Sequence, residues 1–221
     1  AMVFTSHSKS TASLKVHWVV TILNANAKRF ATQAVSYDKL RKITSMKAQV
    51  LDANGTVIKK LKNNEITDHS AFEGMFSDNR MKVADLTQGR YPYTVEFEYE
   101  VAYKFLYAID GSAINQYENV SVQRASYQLN FPEELAPRYK TYNIASEPTR
   151  AKTENGLTSL TWSFENLKAP IFEVHADRTK SIIMIQAAPS VFEFEGYAGN
   201  MDNWDDFGRW IASLNRGRNV L

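Results

Sequence analysis

The strongest constraint on the fold is a two-residue alternation that runs unbroken from Tyr93 to Tyr103. The packed positions are Tyr93, Val95, Phe97, Tyr99, Val101 and Tyr103, and the residues between them are Thr94, Glu96, Glu98, Glu100 and Ala102. A strand with this period has one packed and one wet face. Parallel strands covered on both faces would instead form continuous apolar runs. The segment therefore predicts an antiparallel sheet.

Other segments extend this prediction to most of the chain. Leu14–Leu23 alternates in the same way, and Arg29–Val35 is expected to return beside it as a first hairpin. The Asn-Gly pairs at 54–55 and 155–156 favour two further hairpin turns. A strand is also expected over Ile171–His175. We predict an all-β fold, an antiparallel β-sandwich with long strands.

Only the C-terminal segment has a helical period. Phe207, Trp210, Ile211 and Leu214 recur at i, i+3, i+4 and i+7, so one C-terminal helix is expected with Asp202 or Asn203 as its cap. The predicted organisation is an arm over residues 1–13, disordered or engineered, then a β-sandwich over 14–200. Residues 201–221 form the helix and a junction to a further domain. Whether 14–200 is one sandwich or two smaller sheets stays open.

Composition excludes several classes of protein. The 221 residues carry a formal charge of +2, too balanced for a dedicated nucleic-acid protein. No apolar run reaches the length of a membrane span. Cysteine is absent, which removes disulfides, thiolate metal sites and a thiol nucleophile within these residues. There is no glycine-rich phosphate loop, and no cofactor is predicted.

Metal binding has only weak candidates. Glu173, His175 and Asp177 would share one face of a strand and could hold a divalent cation, but the solvated face of a sheet has the same appearance. The acidic residues from 202 to 206 lack the calcium-loop spacing and are better explained as helix caps. No metal site is predicted.

Catalytic and ligand-binding patterns are equally sparse. Asp68, His69 and Ser70 form at most a weak acid–base pattern, because triads assemble in space rather than along the chain. Tyr91, Tyr103 and Tyr107 are candidates for stacking on a sugar ring or a peptide, although most aromatic residues on an apolar strand face belong to the core.

Five segments carry a family resemblance. They are Tyr37-Asp38, Asp52–Gly55, Phe76–Arg80, Thr161–Leu167 and Trp204–Trp210, of which the last is the most specific. With them the chain resembles the bacterial domain-of-unknown-function family 3857, whose members precede a transglutaminase-like domain in envelope or secreted proteins. The resemblance implies a periplasmic, cell-surface or secreted location.

The resemblance also implies an accessory role. A transglutaminase-like core uses a Cys-His-Asp triad, and these residues contain no Cys, so the 221 residues are expected not to be an enzyme, whereas the full-length parent would be a peptidase or transferase. The expected function is to pack against and orient that downstream domain, with Trp204, Phe207, Trp210 and Leu214 forming the junction. The alternative is a module that binds an envelope glycan or peptide.

Overall fold

The computed structural model describes residues 1–71 and 77–218, and strands dominate it. The strands are β1 (Met2–Ser8), β2 (Thr11–Ile22), β3 (Thr32–Tyr37), β4 (Arg41–Leu51), β5 (Val57–Lys60), β6 (Ile66–Ser70), β7 (Arg80–Asp85), β8 (Tyr93–Tyr103), β9 (Ser112–Ala113), β10 (Val122–Phe131), β11 (Arg138–Tyr142), β12 (Thr149–Lys152), β13 (Thr158–Leu167), β14 (Met184–Ala188), β15 (Val191–Phe194) and β16 (Tyr197–Asn200). A single α-helix, α1 (Trp204–Asn215), follows them within the described residues. The all-β prediction and the C-terminal helix are confirmed, while Phe76 of the third family segment lies outside the described residues.

The described residues divide into two compact units, Lys15–Tyr103 and a terminal unit of Ala1–Leu14 with Lys104–Leu221. In the Lys15–Tyr103 unit the strand order is β2-β8-β4-β5, and a second sheet has the order β3-β7-β6. β4 and β8 are antiparallel, with Val50 opposite Val95. Tyr93, Val95 and Phe97 are fully buried while the residues between them are half-exposed, so the alternation of β8 reports its packed face.

Among its described residues the terminal unit contains three groups of paired strands and α1. One has the order β12-β13-β10-β1, a second β11-β14-β9, and β15 and β16 form a hairpin. The first two meet through side chains, because the Tyr139 ring of β11 contacts the Trp162 ring of β13 edge-on at 5.1 Å. Tyr127 of β10 lies beside the same indole at 5.9 Å and donates its hydroxyl to the Asp110 carbonyl. Burial of this phenol raises its pKa.

The expectation of disorder at the N-terminus is wrong. Residues 1–13 were expected to be a disordered or engineered arm, but β1 pairs with β10 from Met2 opposite Tyr127 to Thr5 opposite Asn130. Phe4 is buried, which accounts for the order of a segment otherwise rich in Ser and Thr. The pair is parallel, whereas a wholly antiparallel sheet was predicted. Alternation records which face of a strand is packed and carries no information about strand direction.

The first predicted hairpin is also wrong. After β2 the chain forms a 3-10 helix over Ala25–Ala31, where the Asn24 side chain accepts the Asn26 amide. β3 then pairs with β7 and not with β2. Asn24 therefore acts as a helix cap rather than a hairpin turn, because its side chain satisfies a free amide of the first turn.

The two Asn-Gly turns are confirmed. β4 and β5 pair around Gly55, and β12 and β13 pair around Gly156. Both glycines have positive φ, +81° and +79°, which residues with a Cβ adopt at a cost. Among residues 1–71 and 77–218, no helix has the length and apolar character needed to cross a membrane.

Candidate functional site

The site begins at the N-terminus of α1, where the predicted cap forms. Asn203 accepts the Asp206 amide at 2.9 Å and donates its side-chain amide to the Asp206 carboxylate at 2.7 Å. Asp205 and Asp206 lie in the first turn, where the helix dipole favours negative charge. Asp202 instead accepts the Asn200 side-chain amide at 2.9 Å. Asp205 and Asp206 therefore serve the start of the helix, whereas Asp202 is bonded to the end of β16.

Trp210 anchors α1 to the β15–β16 hairpin. Its ring is only 7% exposed and meets Phe192 edge-on at 4.9 Å, and its Nε1 donates to the Tyr197 carbonyl at 3.3 Å. Gly199 makes this approach possible, since a Cβ there would lie 2.4 Å from Phe192 Cζ and 2.8 Å from Trp210 Cδ1. The helix is thus held in place by one buried indole over a glycine.

Outside this anchor lies an aromatic surface, which we define as Tyr107, Trp204, Phe207 and Ile211. Trp204, Phe207 and Ile211 follow one another at i, i+3 and i+7 along one side of α1. The Trp204 side chain is 86% exposed and touches Phe207 edge-on at 6.3 Å. Phe207 in turn contacts Trp210 at 5.7 Å, and Tyr107 contacts Trp210 at 5.5 Å. A fixed helix therefore presents a large exposed indole, the type of side chain that dominates interface energetics.

The four predicted junction residues differ in their exposure. Trp204 is exposed, Phe207 and Leu214 are half-buried, and Trp210 is buried against the hairpin. Trp210 therefore orients the surface and has little of its own ring available to a partner.

The three tyrosines that were candidates for stacking on a sugar ring or a peptide differ in their surroundings. Tyr103 is 6% exposed in the core of the Lys15–Tyr103 unit and offers no ring face for stacking. Tyr91, in the same unit, is half-buried against Tyr93 with ring centroids 5.6 Å apart. Tyr107 belongs to the aromatic surface of the terminal unit. Alternation alone does not distinguish a core tyrosine from an exposed one.

The weak metal candidates do not share a strand face, because no strand forms over Ile171–His175. Glu173 and Ala176 close a turn through their backbones, and His175 has a positive φ of 67°. Asp177 accepts the Thr179 amide and hydroxyl at 3.0 and 2.6 Å and caps a 3-10 turn. Within the described ranges, no three His, Asp or Glu side chains are grouped as metal ligands.

Asp68 and His69 do not cooperate either, since neighbouring residues of β6 point to opposite faces. His69 contacts the Thr67 hydroxyl at 2.8 Å. Asp68 accepts the Tyr37 hydroxyl at 2.6 Å and the Arg80 Nε at 3.0 Å. These two contacts hold the pKa of Asp68 below its usual range, and the Asp68 carboxylate raises the pKa of Tyr37. A poised acid or base needs the opposite shift, so this cluster ties β3, β6 and β7 together.

Sequence reasoning missed this cluster as a unit. Tyr37 and Arg80 each appeared in a separate family segment, but Asp68 belonged to none. β3 and β6 flank β7 in one sheet, which places the three side chains together. No strand was predicted at Asp68 or Arg80, so no local signal placed these two residues beside Tyr37.

Comparison with solved structures indicates a shared fold. A crystal structure from Parabacteroides distasonis ATCC 8503, described as a "putative protease", matches with a TM-score of 0.69 and 16% sequence identity. The match covers 86% of this chain and 39% of that one, so the chain spans well under half the length of that protein. None of the curated proteins matches.

Comparison with family models gives the family. The model of the domain of unknown function DUF3857 matches residues 8–171, which is most of the chain, and α1 lies beyond the matched segment. This chain belongs to the DUF3857 family.

Proposed function

We propose that these residues form a non-catalytic accessory domain that packs through the aromatic surface against a transglutaminase-like, cysteine-protease-like domain downstream in the same polypeptide. Its role is to orient that domain. The observation that carries the proposal is Trp204, which is 86% exposed on a helix whose position is fixed by Trp210. Leaving a large indole in water forgoes a substantial hydrophobic free energy that a packed partner recovers.

Two further observations support a partner in the same polypeptide. The solved structure that shares this fold is more than twice as long as the matched segment, and it is described as a "putative protease". Three of the four residues of the aromatic surface belong to α1, which lies C-terminal to the family match. The family resemblance adds the transglutaminase-like identity of the partner and a periplasmic, cell-surface or secreted location.

The proposal includes a sandwich arrangement within the terminal unit. The contact of the Tyr139 ring on β11 with the Trp162 ring on β13 supports face-to-face packing of their two sheets, the arrangement of a β-sandwich.

The test is Trp204→Asp in the natural polypeptide, with Leu23→Asp as the matched control. Leu23 is 68% exposed and lies in the Lys15–Tyr103 unit. Each of the two substitutions therefore replaces an exposed apolar side chain with a carboxylate. We expect Trp204→Asp to speed limited proteolysis between the two domains about tenfold or more, because a tryptophan anchor at an interface is worth roughly 2 kcal/mol or more. Leu23→Asp should leave the cleavage rate unchanged.

Both variants should melt like the parent in the isolated 221-residue chain, which separates lost docking from lost folding. Equal cleavage rates for the two variants would contradict the proposal. So would a natural polypeptide without a transglutaminase-like domain.

A further inference from the structure

A second surface of the terminal unit has no role in the proposed docking. A concavity of about 650 Å³ lies over the sheet β11-β14-β9 and is lined by the whole length of β14. Arg138 and Lys140 of β11 line one side, and Gly111 with β9 lines the other. The floor of the concavity is therefore β14, with the five-residue strand β11 on one side and the two-residue strand β9 on the other.

The two neighbours of β14 differ in how far they pair with it. β11 pairs with all five residues, from Met184 opposite Tyr142 to Ala188 opposite Arg138. β9 pairs only with Met184 and Ile185. On the β9 side, among the described residues, no strand pairs with Gln186–Ala188.

The backbone direction at this open stretch follows from the residues before it. The Ile183 carbonyl accepts the Ile114 amide at 2.9 Å, and the Ile183 amide donates to the Asn115 side chain at 2.7 Å, so both point to the β9 side. Alternate residues of a strand direct their backbone groups to the same edge. The backbone amides and carbonyls of Ile185 and Ala187 therefore also face the β9 side. β9 pairs with β14 only as far as Ile185, so it does not reach Ala187.

The chain beside this edge lies very close to β14 at Gly111. A Cβ at Gly111 would lie 2.6 Å from the Ile185 carbonyl oxygen, so the chain fits there without a side chain. One step further along β14, the amide and carbonyl of Ala187 face the concavity. An unpaired strand edge of this kind is a template for a further strand.

We propose that the concavity binds an extended acidic peptide, which adds a strand to β14 through the backbone of Ala187. Strand addition takes its affinity from backbone hydrogen bonds and its specificity from alternate side chains. Arg138 and Lys140 are the charged residues that line the concavity, and none of its described lining residues carries a carboxylate. Arg138 is within 3.9 Å of Asp202, whereas the Lys140 ammonium lies over the Tyr142 ring at 5.1 Å. This charge favours Asp or Glu in the ligand.

The proposal is independent of docking through α1, and its test uses the isolated 221-residue chain. The probe is a capped seven-residue peptide of alternating valine and aspartate, titrated while the amide spectrum of the protein is followed by NMR. We expect saturable binding with a Kd of about 1 mM or tighter. The lysine version of the peptide should bind about two- to fivefold more weakly, the range measured for exposed charge pairs.

N-methylation of the peptide backbone tests the geometry. Each N-methyl group removes one donor, and in a strand only every second residue faces the neighbouring edge. Methylation of one alternate set should abolish binding, and methylation of the other should change Kd by less than about twofold. Binding that ignores the position of the methyl group would overturn the proposal.

Ala187→Pro tests the same hydrogen bond from the protein side. Proline removes the amide and is tolerated at an unpaired strand edge, so binding should be lost with the fold retained. Ala187→Ser keeps the amide and should bind like the parent. If Ala187→Pro lowers the melting temperature, the N-methyl series still decides. The proposal would also be overturned if the peptide gave no saturable response, whether or not an oligosaccharide gave one.

Discussion

Gly199 shows how a single residue fixes the position of α1. A Cβ at this position would overlap Phe192 and Trp210, and Gly199 has no positive φ that would add backbone strain. We therefore expect Gly199→Ala to lower the free energy of unfolding of the terminal unit by about 1–3 kcal/mol through overpacking. Urea denaturation followed by tryptophan fluorescence measures this change.

Gly208 is the matched control on the same helix. Apart from the neighbouring residues and the backbone of its own helix, no atom lies within 4 Å of a Cβ built there. Gly208→Ala should raise the free energy of unfolding by up to about 1 kcal/mol, the difference in helix propensity. If both alanine variants destabilise the protein equally, the packing account of Gly199 is wrong.

Residue identity allowed prediction of some of these roles and not others. Asn203 and the Asn-Gly turns are local chemistry, and each forms as expected because its partner is within a few residues. Tyr103 and Tyr107 are the same residue type four positions apart, yet one is core and the other part of a surface. Their difference depends on Phe192 and Trp210, which are distant in sequence.

At the scale of elements, Glu96 joins three strands of the Lys15–Tyr103 unit. Its carboxylate on β8 accepts the Gln49 side chain of β4 at 2.6 Å and contacts His17 of β2 at 2.8 Å. The hydrogen bond from Gln49, followed by that from His17, holds the pKa of Glu96 below its usual range. The ionised form is therefore preferred in the folded protein.

The resulting pH dependence has a definite sign. A carboxyl with a lowered folded pKa contributes stability above its unfolded value, near pH 4.3, and loses it as the pH falls through the folded pKa. The parent should lose free energy of unfolding more steeply than Glu96→Gln below about pH 5. Gln49→Met, which removes the first donor, should also reduce the slope. Parallel curves for the parent and Glu96→Gln in urea denaturation from pH 6 to 3 would refute this.

Strands were predictable where a long alternation has one packed face, as in β2 and β8. The errors lie where short-range signals compete. Asn24 caps a 3-10 helix where a hairpin turn was expected. The segment 171–175 contains the β-branched residues Ile171 and Val174, but both are exposed, at 90% and 85%. β1 was missed because its order depends on pairing with β10, more than a hundred residues away.

At the scale of the whole molecule, the chain contains two compact units, and the proposed docking surface belongs to the terminal one. The sequence correctly predicted an all-β family member with a C-terminal helix. It did not predict the division at Leu14 and Tyr103, because β2 and the segment after β8 run through those points without a linker of Gly, Pro or Ser. If docking occurs as proposed, the aromatic surface positions the downstream domain.

The most direct test of that claim is hydrogen–deuterium exchange of the α1 segment in the natural polypeptide and in the isolated 221-residue chain. Amides of residues 204–215 should exchange at least about tenfold more slowly in the natural polypeptide, because docking of the aromatic surface adds to the free energy of opening. Peptides from β8 serve as the control and should exchange equally in both. Equal exchange of the α1 segment in the two proteins would contradict the accessory-domain account.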